Sequence, residues 1–239
     1  RVKVFDCSCC PPNLLRFVGS IADYMYSVSG NTIYAHCYMD AEGEIETSAG
    51  KMKLKQETGY PYDGKIRILT ETEATCEIAL HLPSWSEQWK LTINGKEAEA
   101  VLRKGYLYVQ REWKCGDCLE LELDMGIRFW ESNPRVIDTS GRIAVTRGPL
   151  VFCAEGIDNE DLLLRDVRIK PMQEGKICFR QMEGTTLPVL ELDAEAREEE
   201  ADLYVKPGKS LRNVKLHLIP YFAWANRQVT SMNTWFLED

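Results

Sequence analysis

From residue 30 onward, apolar and polar residues alternate in short runs separated by turn-forming residues. Clear examples are residues 32–38, 65–69, 76–82, 105–109 and 118–123. A period of two is typical of strands with one face buried and one face in water. Residues 91–93 are followed by Asn94-Gly95, a dipeptide that favours the tight type I′ turn of a hairpin. This pattern predicts antiparallel β-structure in the middle of the chain.

A second series of short runs begins near Gly141. Its predicted strands are residues 142–145, 149–153, 167–169, 177–179, 187–192, 214–219 and 234–237. Regularly spaced short strands with turn signals between them are typical of β-sandwiches. The acidic run 195–202 contains few apolar residues, so it is expected to be a solvated loop or a short exposed helix. The sequence therefore predicts an all-β chain of two antiparallel β-sandwich domains, with a boundary near Asn133-Pro134-Arg135.

One helix is expected before the strands, over residues 12–26. Its apolar residues recur at helical spacing, Pro11-Pro12 precedes them, and Ser29-Gly30-Asn31 supplies a stop signal. An apolar stripe on one isolated helix is expected to be exposed and to promote self-association into a homo-oligomer.

Charge and hydropathy limit the partners. The 239 residues carry a net charge of −8 at pH 7, and there is no basic cluster of the kind that binds phosphate backbones, so nucleic acid is not expected as a partner. No apolar run approaches the roughly 18 residues of a membrane span, so no membrane association is expected. Nine cysteines cannot all pair internally, which favours a reducing compartment and a cytoplasmic location. The first residue is Arg1 rather than Met, which suggests a processed or cut polypeptide.

Three thiols stand within four residues just before the predicted helix, at Cys7, Cys9 and Cys10. Free N–H groups and the helix dipole favour thiolates at such a position. The group could therefore bind a soft metal or act as a nucleophile, or it could be an inert buried cluster. Zinc prefers four ligands, so at least one further ligand would have to come from elsewhere.

Other candidate groups are interpreted as structural. Cys115-Gly116-Asp117-Cys118 has the C-x-x-C spacing of redox and zinc sites, but it leads into a strand rather than a helix. A zinc knuckle completed by another cysteine pair stays open as the alternative. His36, His81 and His217 all lie in predicted strands, where packing in the core or across strands is the default. These three histidines therefore give little support for a catalytic triad or for a metal site built from several histidines.

Longer motifs run through the chain and together resemble glycoside hydrolase family 127, the β-L-arabinofuranosidases. The most specific is Cys7-Ser8-Cys9-Cys10-Pro11-Pro12-Asn13, with Arg16 following. The others are Glu57-Thr58-Gly59-Tyr60-Pro61-Tyr62-Asp63-Gly64, Leu82-Pro83-Ser84-Trp85, Asn94-Gly95, Arg111-Glu112-Trp113, Gly116-Asp117, Arg147-Gly148-Pro149-Leu150-Val151 and Pro220-Tyr221-Phe222-Ala223-Trp224-Ala225-Asn226-Arg227.

The resemblance implies a fold with three parts. Members of this family have an (α/α)₆ barrel that carries the active site, followed by two β-sandwich domains. By that comparison, residues 1–30 are the end of the barrel and contribute one helix. Residues 31–132 together with 222–239 form the first sandwich, which recruits the final strand of the chain, and residues 133–221 form the second.

The resemblance also implies a retaining, zinc-dependent glycosidase with a cysteine nucleophile. Residue by residue, Cys9 matches the nucleophile and Cys10 a zinc ligand, so Cys9 and Cys10 are the expected metal-binding residues, while Cys7 receives no role. The acid/base glutamate and the remaining ligands, a glutamate and a cysteine, lie upstream in the family and outside this sequence. The implied substrate is an arabinose-containing oligosaccharide, and this chain alone is expected to be inactive.

Two further hypotheses remain. In one, the chain is a non-catalytic β-sandwich module for carbohydrate binding or assembly, and its thiols have no catalytic role. In the other, it is a zinc-binding interaction protein that uses Cys7, Cys9 and Cys10 with the Cys115/Cys118 pair.

Overall fold

The computed structural model describes residues 8–198, 204 and 211–239. The chain divides into two compact units, an N-terminal unit that ends at Met125 and a C-terminal unit from Gly126 to Asp239. Strands dominate both units, so the all-β prediction is confirmed. The observed division falls slightly before the turn at Asn133-Pro134-Arg135, because residues 127–131 already form a strand of the C-terminal unit.

The N-terminal unit contains eleven of the described strands in two sheets. The strands are β1 (Tyr26–Ser29), β2 (Thr32–Ala35), β3 (Ala41–Thr47), β4 (Gly50–Thr58), β5 (Lys65–Thr70), β6 (Ala74–His81), β7 (Trp89–Ile93), β8 (Lys96–Glu97), β9 (Val101–Arg103), β10 (Tyr106–Trp113) and β11 (Cys118–Leu123). The five-stranded sheet has the order β1-β2-β6-β10-β9, and the six-stranded sheet has the order β3-β4-β5-β11-β7-β8. All of their pairings are antiparallel except β2–β6, which is parallel.

Alternate residues of both sheets of this unit point into one shared core. Ile78 and Leu107 enter it from the five-stranded sheet, and Met52 and Ile66 enter it from the six-stranded sheet. Trp113 is fully buried and donates its indole N–H to the carbonyl oxygen of Cys76 at 3.1 Å. Apolar side chains from two facing sheets make this unit a β-sandwich.

The predicted Asn-Gly hairpin is confirmed. Asn94 and Gly95 both have positive φ, at 52° and 75°, and Ile93 pairs with Lys96 across the turn. Positive φ at both central positions is the requirement of a type I′ turn.

The C-terminal unit contains the other nine described strands. They are β12 (Ile127–Glu131), β13 (Arg142–Arg147), β14 (Leu150–Glu155), β15 (Arg168–Ile169), β16 (Lys176–Met182), β17 (Thr185–Arg197), β18 (Leu211–Pro220), β19 (Met232–Asn233) and β20 (Trp235–Glu238). They form one sheet, in which β13 pairs with both β14 and β20. The path β13-β20-β15-β17-β18-β14 therefore closes on itself, and the two faces expected of a sandwich belong to one continuous sheet.

Two local predictions are wrong in this unit. The final strand does not join the first sandwich as expected for residues 222–239, because β20 pairs with β13 and β15 and buries Phe236 completely. Within the acidic run, β17 continues through Arg197, and 199–202 lie outside the described residues. The strand persists because Ala194 and Ala196 are buried on one face while Glu195 lies between them.

The helix α1 spans Cys10–Ser20 and is followed by a 3₁₀ turn at Ile21–Tyr24. It begins two residues earlier than predicted, because prolines are tolerated in a first helical turn, and it ends earlier, because β1 already starts at Tyr26. Among the described residues, no helix has the length and apolar character needed to cross a membrane.

Candidate functional site

Two thiols lie at the N-terminus of α1. Cys9 is the N-cap residue, Cys10 is the first helical residue, and prolines occupy the first turn. Both cysteines are exposed, and their Sγ atoms are 3.9 Å apart. Cys7 lies outside the described residues. The structure therefore brings together the two residues predicted as nucleophile and metal ligand.

The backbone around the thiols is fixed by the start of the helix. The carbonyl oxygen of Cys9 accepts the N–H of Asn13 at 3.3 Å, and the Asn13 Oδ1 atom accepts a hydrogen bond from Arg16 Nη1 at 3.3 Å. Both sulfurs therefore lie at the helix N-terminus, the end of α1 that carries a partial positive charge.

The sulfur separation is compatible with zinc. With Zn–S bonds of about 2.3 Å and tetrahedral angles, two sulfurs on one ion lie roughly 3.8 Å apart, close to the observed 3.9 Å. Two thiolates are half of a four-ligand set. Within 8–198, 204 and 211–239, no group of three or more Cys, His, Asp or Glu side chains is placed to hold a metal. The spacing of Cys9 and Cys10 therefore fits two ligands of a tetrahedral zinc site.

The apolar face of α1 is uncovered. None of its residues is buried, and Leu14, Leu15 and Val18 are 62%, 72% and 58% exposed. An apolar surface of this kind marks a contact region.

The residues that follow α1 and its 3₁₀ turn, by contrast, are anchored to the N-terminal sandwich. Met25 is 4% exposed, and its carbonyl oxygen accepts the N–H of His36 at 2.8 Å. The hydroxyl of Tyr26 donates to Oε1 of Gln56 at 3.2 Å. Gln56 is 1% exposed and donates in turn to the carbonyl oxygens of Cys37 and Met39. The sandwich thereby anchors the chain directly behind the thiol-bearing helix.

The Cys115-x-x-Cys118 motif forms a turn. The N–H of Asp117 donates to the carbonyl oxygen of Lys114 at 3.0 Å, and Gly116 has a φ of 89°. Asp117 accepts hydrogen bonds from Asn94 Nδ2 at 2.7 Å and from the N–H of Lys114 at 3.0 Å. These bonds, the Asn94 bond first, lower the pKa of Asp117. The motif therefore has a structural role: through Asp117, it ties the Asn94-Gly95 hairpin turn to the residues just before β11.

The histidines have more polar surroundings than the packing prediction implied. His36 Nε2 is 2.7 Å from Ser27 Oγ, and His36 Nδ1 is 2.7 Å from the hydroxyl of Tyr106. Burial and the neighbouring His36 lower the pKa of His81. Sequence reasoning did not find the Ser27–His36–Tyr106 group, because His36 and Tyr106 are 70 residues apart and only the folded sheet brings them together.

The C-terminal unit contains a second polar group that was not predicted, around Arg227. Its Nη2 donates to Oε2 of Glu155 at 2.7 Å, and its Nη1 donates to Oδ1 of Asp158 at 2.8 Å. The other Glu155 oxygen accepts the N–H of Ala225 at 2.6 Å. The two carboxylates raise the pKa of Arg227, Asp158 most strongly. The group fixes the loop after β18 against the end of β14.

Comparison with known proteins agrees with the two-unit division. Residues 32–125 match the family model of the β-L-arabinofuranosidase GH127 middle domain, and residues 127–237 match the model of the glycoside hydrolase family 127 C-terminal domain. The chain belongs to glycoside hydrolase family 127.

Relatives in family 127 are longer than this chain. A non-reducing end β-L-arabinofuranosidase of Bifidobacterium longum subsp. longum is 32% identical over 97% of the chain, which covers 37% of that relative. The crystal structure of a family 127 β-L-arabinofuranosidase from Geobacillus stearothermophilus T6 superposes with a TM-score of 0.92 at 32% identity, over 100% of this chain and 39% of its own. A solved family 127 β-arabinofuranosidase gives a TM-score of 0.88 at 32% identity, over 98% and 39%. The chain thus spans less than half the length of these relatives.

Proposed function

We propose that this protein is part of a retaining, zinc-dependent glycoside hydrolase that acts on β-L-arabinofuranosides. Cys9 is the nucleophile and a zinc ligand, and Cys10 is a second zinc ligand. The observation that carries the proposal is the pair of exposed thiols 3.9 Å apart at a helix N-terminus, in a chain of family 127. The named activity of the Bifidobacterium and Geobacillus relatives supports the substrate class.

The proposed chemistry has two displacements at the anomeric carbon. In the first, Sγ of Cys9 forms a bond to that carbon while the bond to the leaving oxygen breaks, and the leaving oxygen takes a proton from a general acid. In the second, water gives a proton to the same group and attacks the carbon, and the thiolate leaves. Two inversions retain the configuration, with cysteine in place of the usual second carboxylate.

The chain's own residues position the sulfur. Cys9 caps the N-terminus of α1, and the Asn13 and Arg16 contacts fix the first turn. A zinc ion bound to Cys9 and Cys10 would favour the thiolate form.

The rest of the site is proposed to lie outside these 239 residues. Two thiolates leave a four-ligand zinc site incomplete, and the relatives are more than twice as long as this chain. The acid/base glutamate and the remaining zinc ligands are therefore assigned to the part of the relatives that this chain does not cover.

Hydrolysis of a chromogenic β-L-arabinofuranoside tests this proposal. Residues 1–239 alone, reduced and loaded with zinc, are expected to give no turnover. The longest polypeptide that the gene encodes is expected to hydrolyse the substrate and to lose about 10³-fold or more in kcat with Cys9→Ala, because the covalent step is gone. Full activity of Cys9→Ala would refute the nucleophile assignment, and turnover by residues 1–239 would refute the incomplete site.

A further inference from the structure

The two outer faces of the N-terminal sandwich have different chemistry. The outer face of the six-stranded sheet carries paired charges, with Lys51 bonded to Glu44, Lys53 to Glu42 and Arg67 to Glu120 at 2.6–3.0 Å. All six side chains are 41–62% exposed. A lattice of exposed ion pairs is typical of a solvated surface.

The outer face of the five-stranded sheet is aromatic instead. We call it the tyrosine–histidine face, and its residues are Tyr34, His36, His81, Tyr106 and Tyr108. Edge-to-face contacts join Tyr34 to Tyr106 and to Tyr108, with ring centroids 5.5 and 6.0 Å apart. His36 and His81 lie against Tyr106 at 5.7 and 5.4 Å. The five rings form one continuous cluster.

This cluster is separate from the hydrophobic core. Residues 33, 78, 80, 107 and 109, which alternate with it along the strands, belong to the core of the sandwich. Among the five residues of the tyrosine–histidine face, Tyr108 is the buried one, at 8% exposed, and the other four are partly exposed. Ala79 pairs with Tyr34 on one side and with Tyr108 on the other, yet it is fully buried. The tyrosine rings therefore cover the small side chain of Ala79 and form the floor of the outer face.

Hydrogen bonds fix the polar edges of the rings. His36 bridges Ser27 and Tyr106, with 2.7 Å on each side. A hydrogen bond with the Tyr108 hydroxyl raises the pKa of Tyr34. Each hydroxyl can both donate and accept, so these groups keep capacity for a ligand. The side chains are held in place before any ligand arrives, which lowers the entropy cost of binding.

An ion pair borders this face. The guanidinium of Arg103 lies 3.9 Å from the centroid of the Tyr108 ring, and its Nη2 lies 3.5 Å from Oε2 of Glu77. Thr32 donates to the same Glu77 oxygen at 2.8 Å. Arg103 is therefore already engaged by both the Tyr108 ring and the Glu77 carboxylate.

We propose that the tyrosine–histidine face binds a neutral oligosaccharide, without using the cysteines of α1 and independently of hydrolysis. Sugars present C–H groups on their ring faces and hydroxyls on their edges. Tyrosine matches both, because it combines an apolar ring with a polar hydroxyl. A phosphate would have to compete with Glu77 for Arg103, and an aliphatic partner would leave the hydroxyls and imidazoles unsatisfied.

Calorimetric titration of residues 1–239 with arabinopentaose tests the proposal. Saturable binding is expected. Tyr34→Ala and Tyr106→Ala are expected to weaken it at least fivefold, because each removes one ring of the cluster. The more conservative Tyr106→Phe keeps the ring and removes the hydroxyl, so a smaller loss is expected. Glu44→Ala, on the outer face of the other sheet, is the matched control and should leave the affinity unchanged. Thermal unfolding of each variant checks that it is folded.

Two results would overturn this proposal. One is the absence of saturable binding by the folded chain, and the other is equal affinity in the wild type, Tyr34→Ala and Tyr106→Ala. Cys9→Ala separates this site from the proposed catalytic site. Binding that is lost in Cys9→Ala but kept in Tyr34→Ala would place the sugar at the thiols and reject the tyrosine–histidine face. Binding that survives Cys9→Ala and falls with Tyr34→Ala supports it, whatever the hydrolysis assay gives.

Discussion

Arg227 donates from Nη2 to Oε2 of Glu155 at 2.7 Å, and Glu155 is only 1% exposed. Such a buried carboxylate is tolerated only because it is paired, so removal of the arginine leaves an uncompensated charge. Arg227→Met is expected to lower the free energy of unfolding of the C-terminal unit by about 3 kcal/mol or more, measured by urea denaturation.

Arg67 is the matched control for this prediction. It also contacts two carboxylates, Glu57 and Glu120, but its side chain is 47% exposed. Arg67→Met is therefore expected to cost less than about 1 kcal/mol. Similar losses for the two arginine variants would contradict the structural role assigned to the Glu155–Arg227 pair.

Asp117 should make stability depend on pH. Hydrogen bonds from Asn94 and Lys114 lower its pKa in the folded chain below the ordinary value of 3.8. As pH falls, the unfolded chain therefore takes up this proton first, so the stabilisation present at neutral pH is lost as pH falls through the folded pKa. Asp117→Asn should be less stable at pH 7, and its stability should fall less between pH ~5 and pH ~2.5.

Urea unfolding over that pH range measures the difference. Glu131→Gln, a change at an exposed carboxylate, is the control and should keep the wild-type pH profile. Identical profiles for Asp117→Asn and the wild type would contradict this prediction.

Exposed cysteines should react with a thiol reagent in the folded chain, and buried cysteines should not. Cys76 and Cys153 are fully buried, and burial raises the pKa of Cys76 to about 11 and that of Cys153 to about 12. At pH 8 these thiols are protonated and inaccessible, whereas Cys10 and Cys115 are exposed. Iodoacetamide should therefore label the exposed pair in the folded chain, and should label Cys76 and Cys153 only after unfolding. Peptide mass spectrometry reads this out; rapid native labelling of the buried pair would show that their burial is wrong.

The uncovered helix should drive self-association. Leu14, Leu15 and Val18 are more than half exposed on α1, and an apolar patch on residues 1–239 is expected to pair with a second copy. The double variant Leu15→Glu, Val18→Lys should shift the mass in solution, measured by light scattering, toward the monomer. Ile137→Lys, which changes a single apolar residue that is 84% exposed, is the control. An oligomer that is unchanged in the double variant would exclude α1 as the contact.

Local sequence signals predicted much of this fold. Alternation of polar and apolar residues located most strands, Asn94-Gly95 located a hairpin, and Pro11-Pro12 located the start of the helix beside Cys9. Each of these features depends on residues close together in the chain, which is why one sequence is enough to predict them.

Contacts between residues far apart in the chain could not be predicted from the sequence. Arg227 and Glu155 are 72 residues apart, and His36 and Tyr106 are 70 apart, so only the tertiary fold brings each pair together. The partner of β20 was missed for the same reason, since a strand's own alternation says which face is buried and not which strand lies beside it. The role of the thiols came from family resemblance, because two adjacent cysteines alone fit several functions.

The most direct test of the account is the covalent state of Cys9 during turnover. The longest polypeptide that contains this chain is mixed with a chromogenic β-L-arabinofuranoside, and the reaction is quenched in acid. The protein is then digested, and mass spectrometry measures the mass of the peptide that carries Cys9. A mass increase of one pentosyl group on Cys9, absent from Cys9→Ala, is the predicted result. Hydrolysis that proceeds while the sugar is found on a carboxylate, with Cys9 unmodified, would contradict the account.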